Sequence, residues 1–132
     1  MIIMESIKDL MDIIAIQESI QSGNKAAVRK AISNLKSEFR KYPKLRGKIK
    51  YYDKSQYQDF INGESDEGYI AYFSVWDIFP DAREKSYTKE FEDTITNPMV
   101  SVYNAVKSSI PGYEITMDGD WDDFLFGIER IN

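Results

Sequence analysis

Apolar side chains recur at helical spacing in two segments near the start of the chain, over residues 5–22 and about 25–42. Gly23 and Asn24 separate the two segments, and glycine commonly ends a helix while asparagine commonly caps the next one. The pattern therefore predicts two helices joined by a short turn, which form an antiparallel αα-hairpin. The apolar face of residues 5–22 is wide, so this segment is also a candidate homodimer contact.

The longest apolar and aromatic run in the chain is Gly68–Phe79, and it predicts a strand over 69–79. Both faces of this strand are largely apolar, unlike the alternation of a half-exposed strand. The odd positions predict the face that points into the core, with Ala71, Phe73 and Val75. The even positions include Tyr72 and Trp76, which form a candidate aromatic interface if solvent covers that face.

The other predicted elements are a short strand, a short helix, a long helix and two closing strands, at 47–52, 54–62, 87–109, 113–118 and 124–131. Asn97 and Pro98 suit the cap and first position of a new helix, so the long helix is predicted to break or kink there. The element order predicts an α+β fold in a single globular domain, residues 1–132. In this fold the αα-hairpin is followed by a small mixed sheet of three or four strands, and the long, Pro-interrupted helix packs on the sheet.

The inventory of side chains narrows the chemistry, because the 132 residues include no cysteine and no histidine. Disulfides, thiolate nucleophiles, Ser-His-Asp hydrolysis and the commonest transition-metal sites are therefore excluded. No glycine motif for phosphate or dinucleotide binding occurs either, which predicts a protein that is not an enzyme and needs no cofactor.

No segment has the apolar length of a membrane span, and the N-terminal run lacks the basic start of a signal peptide. These features predict a cytoplasmic protein without membrane contact.

Charge is divided along the chain, although the net charge is only −5. Residues 24–54 hold 11 basic and two acidic residues, a net +9, whereas residues 55–132 hold five basic and 16 acidic residues, a net −11. The basic segment is a candidate nucleic-acid surface, with the phosphate ligands Arg29, Lys36, Arg40, Lys41, Lys44 and Arg46. The alternative, which the acidic balance of the whole domain favours, is a solvated helix face that pairs within the fold with the acidic half.

The most distinctive short stretch reads Asp-Gly-Asp-Trp-Asp-Asp and begins at Asp118. A tryptophan among carboxylates is a candidate anchor for a basic partner, and the predicted binding residues are Asp118, Asp120, Trp121, Asp122 and Asp123. The alternative is that the ring of Trp121 folds back over the sheet edge. A second alternative is a weak metal site, because the spacing of a calcium loop recurs at Asp118, Asp120, Asp122 and Glu129. The loop lacks the glycine at its sixth position and the entering helix that such a site uses.

Together these features predict a small non-enzymatic protein-binding module of the inhibitor, immunity or phage-antagonist type. It is predicted to dock an acidic C-terminal surface on a partner protein with a basic surface. Nucleic-acid binding through residues 24–54 is the alternative, and carboxylate binding of calcium or magnesium is a second alternative.

Overall fold

A computed structural model describes the backbone of residues 7–131 and the side chains of residues 10–131. The helices are α1 (Ile7–Phe39), α2 (Pro43–Arg46), α3 (Gln58–Ile61), α4 (Ala82–Lys85), α5 (Lys89–Phe91) and α6 (Asn97–Val106). The strands are β1 (Lys50–Tyr51), β2 (Glu67–Ser74), β3 (Tyr113–Gly119) and β4 (Asp123–Arg130). Two 3₁₀ turns cover Lys54–Gln56 and Val75–Asp77, and a π-helical turn, Glu92–Thr96, joins α5 to α6. The described residues thus combine helices and a sheet, as the element order predicts.

α1 is one continuous helix of 33 residues, so the predicted αα-hairpin is wrong. Gly23 and Asn24 lie in its interior. The Asn24 side chain is buried, where its Nδ2 donates a hydrogen bond to the Phe60 carbonyl (2.9 Å) and its Oδ1 accepts one from the Tyr113 hydroxyl (2.7 Å). Because these tertiary partners hold the side chain, Asn24 does not cap a new helix, and packing overrides the local stop signal.

The four strands form one sheet in the order β1-β2-β4-β3, and every neighbouring pair is antiparallel. The predicted strand number and the closing β3–β4 hairpin are confirmed, whereas the predicted mixed sheet is wrong. β2 and β3 run in the same direction, since both are antiparallel to β4, but β4 lies between them. After its helical excursion the chain therefore returns at the edge of the sheet as β3 and then runs through the middle as β4, which places the β3–β4 turn beside the end of β2.

β2 is shorter than the predicted strand, because the chain turns into the 3₁₀ segment Val75–Asp77 after Ser74. A register shift between Tyr69 and Ala71 lets both Ile70 and Ala71 be buried. Beyond this bulge the predicted core positions are confirmed, since Ala71, Phe73 and Val75 are fully buried.

The core lies between one face of the sheet and the helices α1 and α6. The buried side chains that meet there include Val28, Leu35 and Phe39 from α1, Met99 and Val102 from α6, and Phe73, Phe126 and Ile128 from the sheet. The rings of Phe39 and Phe126 pack edge to face, with centroids 5.8 Å apart. The opposite face of the sheet, here called the outer face, carries the alternate residues of β2, β3 and β4.

Pro98 changes the helix without breaking it. Asn97 has helical backbone angles (φ −65°, ψ −44°), so the prediction that Asn97 caps a separate helix is wrong. The predicted irregularity appears as the π-helical turn Glu92–Thr96, which directly precedes the proline. Proline lacks the N–H that an α-helical hydrogen bond would need at this point, and a wider turn accommodates that loss.

The first half of α1 leaves several apolar side chains in solvent. The exposed set is Leu10, Met11, Ile13, Ile14 and Ile16, at 43, 63, 48, 43 and 61%. Leu10 and Ile13 continue the stripe that packs against the core further along the same helix, and the other exposed residues widen it. Over the described residues no helix combines the length and the apolar character that a membrane span requires.

Candidate functional site

Two surfaces that the sequence predicts separately come together at one end of the sheet. The β3–β4 turn closes with a hydrogen bond from the Asp120 N–H to the Asp123 carbonyl (2.9 Å), and the Val75 N–H at the end of β2 donates to the Asp122 carbonyl (2.8 Å). This second bond ties the 3₁₀ segment that carries Trp76 to the turn that carries Trp121. The two indole rings pack edge to face with centroids 5.8 Å apart. We call the set Trp76, Asp120, Trp121, Asp122 and Asp123 the tip surface.

The burial of Trp121 agrees with the predicted alternative in which its ring folds back, whereas its role as an anchor for a partner stays a prediction. The ring is half-buried and packs against the core, as a residue that covers the sheet edge does. Trp76 beside it remains 43% exposed, and the Asp120 side chain is exposed. The end of the molecule thus presents indole surface next to carboxylates.

The other two predicted interface residues lie outside the tip surface. Tyr72 is half-buried on the outer face, opposite Lys50 on β1 and Leu125 on β4. Asp118 is exposed and lies on the other side of Leu125. Tyr72 and Asp118 therefore share one row of the outer face with Leu125 between them.

The carboxylates of the tip surface are not neutralised by cations within the part of the chain that the structure describes. Its four salt bridges all involve other acids. Partial burial raises the pKa of Asp123, and the neighbouring charges of Asp122 and Asp120 raise it further. The tip surface therefore carries a negative charge that a basic partner would relieve.

A groove of about 480 Å³ runs between the β3–β4 turn and the helical segment that follows α4. Aromatic and polar residues line it: Tyr87, Thr88, Phe91, Glu92, Thr96, Gly119, Asp120, Trp121 and Phe124. One side is the turn itself, and the other includes the π-helical turn, an irregularity that recurs at functional sites. Tyr87 has a left-handed backbone (φ 66°), which is strained for an aromatic residue, and its side chain is 92% exposed.

The groove was not predicted from the sequence, because the apolar pattern placed Tyr87 within the predicted helix 87–109. In the structure Tyr87 precedes the helix. Thr88 caps α5, since its Oγ1 accepts a hydrogen bond from the Phe91 N–H (3.2 Å). The preference of threonine for the cap position is the signal that would have placed the helix start correctly. No local signal links this segment to Trp121, which lies 34 positions further along the chain.

The four candidate metal ligands do not converge. Asp118 lies opposite Leu125 and Glu129 lies opposite Glu114, so the four-residue offset along β4 separates the two rows by about 13 Å. Within the described residues no group of three or more Asp, Glu, His or Cys side chains could hold a metal ion. The spacing of a calcium loop in the sequence is therefore not the geometry of one.

Three glutamates form a row across the outer face, because Glu129 on β4 pairs with Glu67 on one side and Glu114 on the other. Glu67 accepts a hydrogen bond from the Thr116 hydroxyl (2.8 Å). This bond crosses the space that a side chain at Gly127 would occupy. Partial burial raises the pKa of Glu129, and the charges of Glu67 and Glu114 add to this effect. Like charges directly opposite each other destabilise a sheet.

Replacing the central glutamate of this row should stabilise the protein. We expect Glu129→Gln to increase the free energy of unfolding at pH 7 by about 0.5 kcal/mol and Tm by about 2 °C. The folded-state pKa of Glu129 is raised, so the favourable contribution of Glu129 to the free energy of unfolding is present at acidic pH. That contribution is lost as pH rises through the raised pKa. Thermal unfolding between pH 4 and 8 should therefore show a gain that disappears at the acidic end. The exposed control Glu64→Gln should show no such gain, and equal behaviour of the two variants would contradict the repulsion.

The basic candidates divide between two places. Arg29 and Lys36 lie on one face of α1, Arg40 directly follows the helix, and the Lys36 Nζ is 5.0 Å from the centroid of the Tyr51 ring. Lys41 follows α1 and pairs with Glu38 (2.9 Å). The other two, Lys44 and Arg46, belong to α2. The predicted pairing with the acidic half is limited, across the residues that the structure covers, to Lys50 and Asp77 at 3.9 Å.

Comparisons with protein-family models, with curated proteins and with solved structures found no match to this chain. A function for this protein must therefore be inferred from the geometry of the tip surface and of the groove beside it.

Proposed function

We propose that the protein is a non-enzymatic binding module that docks its tip surface on the basic surface of a partner protein in the cytoplasm. The observation that carries this proposal is the contact between Trp76 and Trp121 among carboxylates that have no cationic partner in the described residues. An inhibitor, an immunity protein or a phage antagonist would use such a surface to occupy a basic site.

The chemistry of the tip surface suits this role. Tryptophan is enriched among residues that dominate binding energy, and two rings that support each other lose little conformational freedom on binding. Carboxylates around them accelerate encounter with a basic partner and disfavour acidic competitors. The hydrogen bond from Val75 to Asp122 holds the two tryptophan segments together before a partner arrives.

Affinity capture from a native lysate tests the proposal. We expect the variant Asp120→Asn, Trp121→Ala, Asp122→Asn to bind the captured partner at least about tenfold more weakly, a loss of about 1.4 kcal/mol or more. The partner should present a basic surface, and its affinity for the wild-type protein, measured with purified components, should fall as salt rises.

The matched control for this experiment is Asp59→Asn with Glu64→Gln, which removes two exposed negative charges outside the tip surface. It should bind as the wild type does. Circular dichroism should show that both variants keep the wild-type fold. Unchanged capture by the tip variant would refute the proposal.

Nucleic-acid binding through residues 24–54 is the second candidate. The observation that favours it is the set of cations along α1 and directly after it, where Arg29, Lys36 and Arg40 form no salt bridge among the described residues. This candidate predicts affinity that falls steeply with salt and that weakens on replacement of Arg40, Lys41 and Arg46. A mobility shift at low salt tests it, and the absence of any shift would exclude it.

We further propose that the exposed half of α1 associates with a second copy of the chain. Its apolar side chains have no cover in the described residues. Residues 7–22 carry one basic and three acidic residues, whereas residues 25–30 just beyond carry three basic ones. An antiparallel pair would place the acidic segment of each copy beside the basic segment of the other, and a parallel pair would align like charges.

A further inference from the structure

The groove beside the tip surface combines aromatic rings with carboxylates. Tyr87, Phe91, Trp121 and Phe124 contribute rings to its lining. Glu92 from the π-helical turn and Asp120 from the β3–β4 turn contribute the acidic groups. Oδ1 of the Asp120 carboxylate accepts a hydrogen bond from the backbone N–H of Trp121 (2.7 Å). The other carboxylate oxygen remains for a ligand.

Gly119 lets the ring of Phe124 form part of the groove. A side-chain carbon at this position would lie 2.4 Å from the Phe124 ring, which is buried and cannot easily move away. The absence of a side chain at the end of β3 therefore keeps the ring close to the turn. The groove is thus a concavity between the β3–β4 turn and the segment that contains α5.

One ring of the groove already holds a cation. The guanidinium of Arg83 on α4 lies 5.9 Å from the centroid of the Trp121 ring, within the range of a cation–π interaction. A guanidinium is planar, stacks on indole and forms paired hydrogen bonds with a carboxylate. The contact of Arg83 with Trp121 shows that this ring accepts such a group.

We propose that the groove binds an arginine side chain of the partner, which stacks on the aromatic lining and pairs with Glu92 and Asp120. This inference rests on the proposed function, since it names the chemical group that the basic partner presents. Arg83 competes for Trp121 or repels the incoming charge, so it weakens binding and favours partners that supply a well-placed arginine. A lysine would gain less, because its ammonium cannot stack or pair in this way.

The test uses the purified full chain and a blocked pentapeptide that contains two arginines, with binding measured by tryptophan fluorescence and calorimetry. Peptides with lysine or with the neutral isostere citrulline in place of arginine are the comparison probes. We expect the citrulline peptide to bind at least about tenfold more weakly than the arginine peptide, and the lysine peptide to lie between them. Glu92→Gln should weaken the arginine peptide about fivefold, and Arg83→Gln should strengthen it about threefold.

Two exposed control residues outside the groove complete the design. Glu64→Gln and Arg46→Gln make the same charge changes and should alter the affinity by less than about twofold. Equal binding of the arginine and citrulline peptides, or an effect of Glu92→Gln no larger than that of Glu64→Gln, would overturn the assignment. Such a result would overturn only the arginine assignment, because capture of the partner from lysate could still depend on the tip surface. Failure of that capture would refute the proposed function, whatever the peptides show.

Discussion

Replacing Asn24 by aspartate should destabilise the fold by about 3 kcal/mol at pH 7 and lower Tm by about 10 °C. The two side chains have almost the same shape, so packing is preserved while a carboxylate replaces the amide. The carboxylate cannot donate to the Phe60 carbonyl, which Asn24 now reaches from Nδ2 at 2.9 Å. It also places a negative charge in a site where Asn24 is only 2% exposed.

The pH dependence of this variant identifies the cause. Burial beside a carbonyl favours the protonated acid, whose O–H can donate to Phe60 in place of the amide. The raised folded-state pKa means that stability is regained as pH falls through that pKa and is lost as pH rises again. Urea unfolding at pH 5 and pH 7 should therefore show a smaller difference from the wild type at the lower pH.

A matched substitution separates the buried network from a general effect of charge. Asn104 is exposed on α6, and Asn104→Asp should change the free energy of unfolding by less than about 0.5 kcal/mol. Tyr113→Phe removes only the hydroxyl that donates to Asn24 Oδ1, and it should cost about 1 kcal/mol. An Asn24→Asp variant as stable as the wild type would show that the network does not hold α1 against the rest of the domain.

The same network explains where sequence reasoning failed. When only neighbouring residues are considered, Gly23 and Asn24 indicate the end of one helix and the cap of the next. This local signal led to the incorrect prediction of an αα-hairpin. The partners that keep α1 continuous are Phe60 and Tyr113, which are 36 and 89 positions away. Contacts of this range leave no mark in the local pattern, so the sequence could not show that Asn24 is a tertiary anchor.

The closing strands and the core face of β2 were predicted well. Two strand-like runs separated by an acidic turn located the closing strands, and the odd positions Ala71, Phe73 and Val75 identified the core face of β2. The sheet was predicted as mixed, but whether neighbouring strands are parallel depends on their order in space. β2 and β3 do run in the same direction, yet they are not neighbours. β4 inserts between β2 and β3, and no local signal states which neighbour it will choose.

The candidate site was predicted in parts and not as a whole. Trp121 and its aspartates stood out through composition, and Trp76 through its place in the longest aromatic run. Their contact depends on the central position of β4, which brings the β3–β4 turn beside the end of β2. The groove also needs the segment around Tyr87, whose left-handed backbone is set by its surroundings rather than by its residue type.

Polar residues on the exposed half of α1 should convert a dimer into a monomer. Ile13 and Ile16 are 48 and 61% exposed, so burying each against a second copy would contribute about 1 kcal/mol. Replacing both by glutamine removes four such contacts from a dimer, which amounts to about 4 kcal/mol or a thousandfold in Kd. Sedimentation of the wild type at micromolar concentration should give twice the mass of the Ile13→Gln, Ile16→Gln variant.

The control for this experiment changes apolar residues that are equally exposed elsewhere. Val100 and Ile131 are 43 and 54% exposed, and Val100→Gln with Ile131→Gln should leave the mass at that of the dimer.

The antiparallel arrangement adds a second requirement, because its contacts between acidic and basic segments are screened by salt while its apolar contacts are not. The dimer should therefore weaken by a few fold in high salt without dissociating completely. A wild-type protein that remains monomeric across the micromolar range would rule out self-association through α1, and a dimer insensitive to the Ile13 and Ile16 changes would place the contact on another surface.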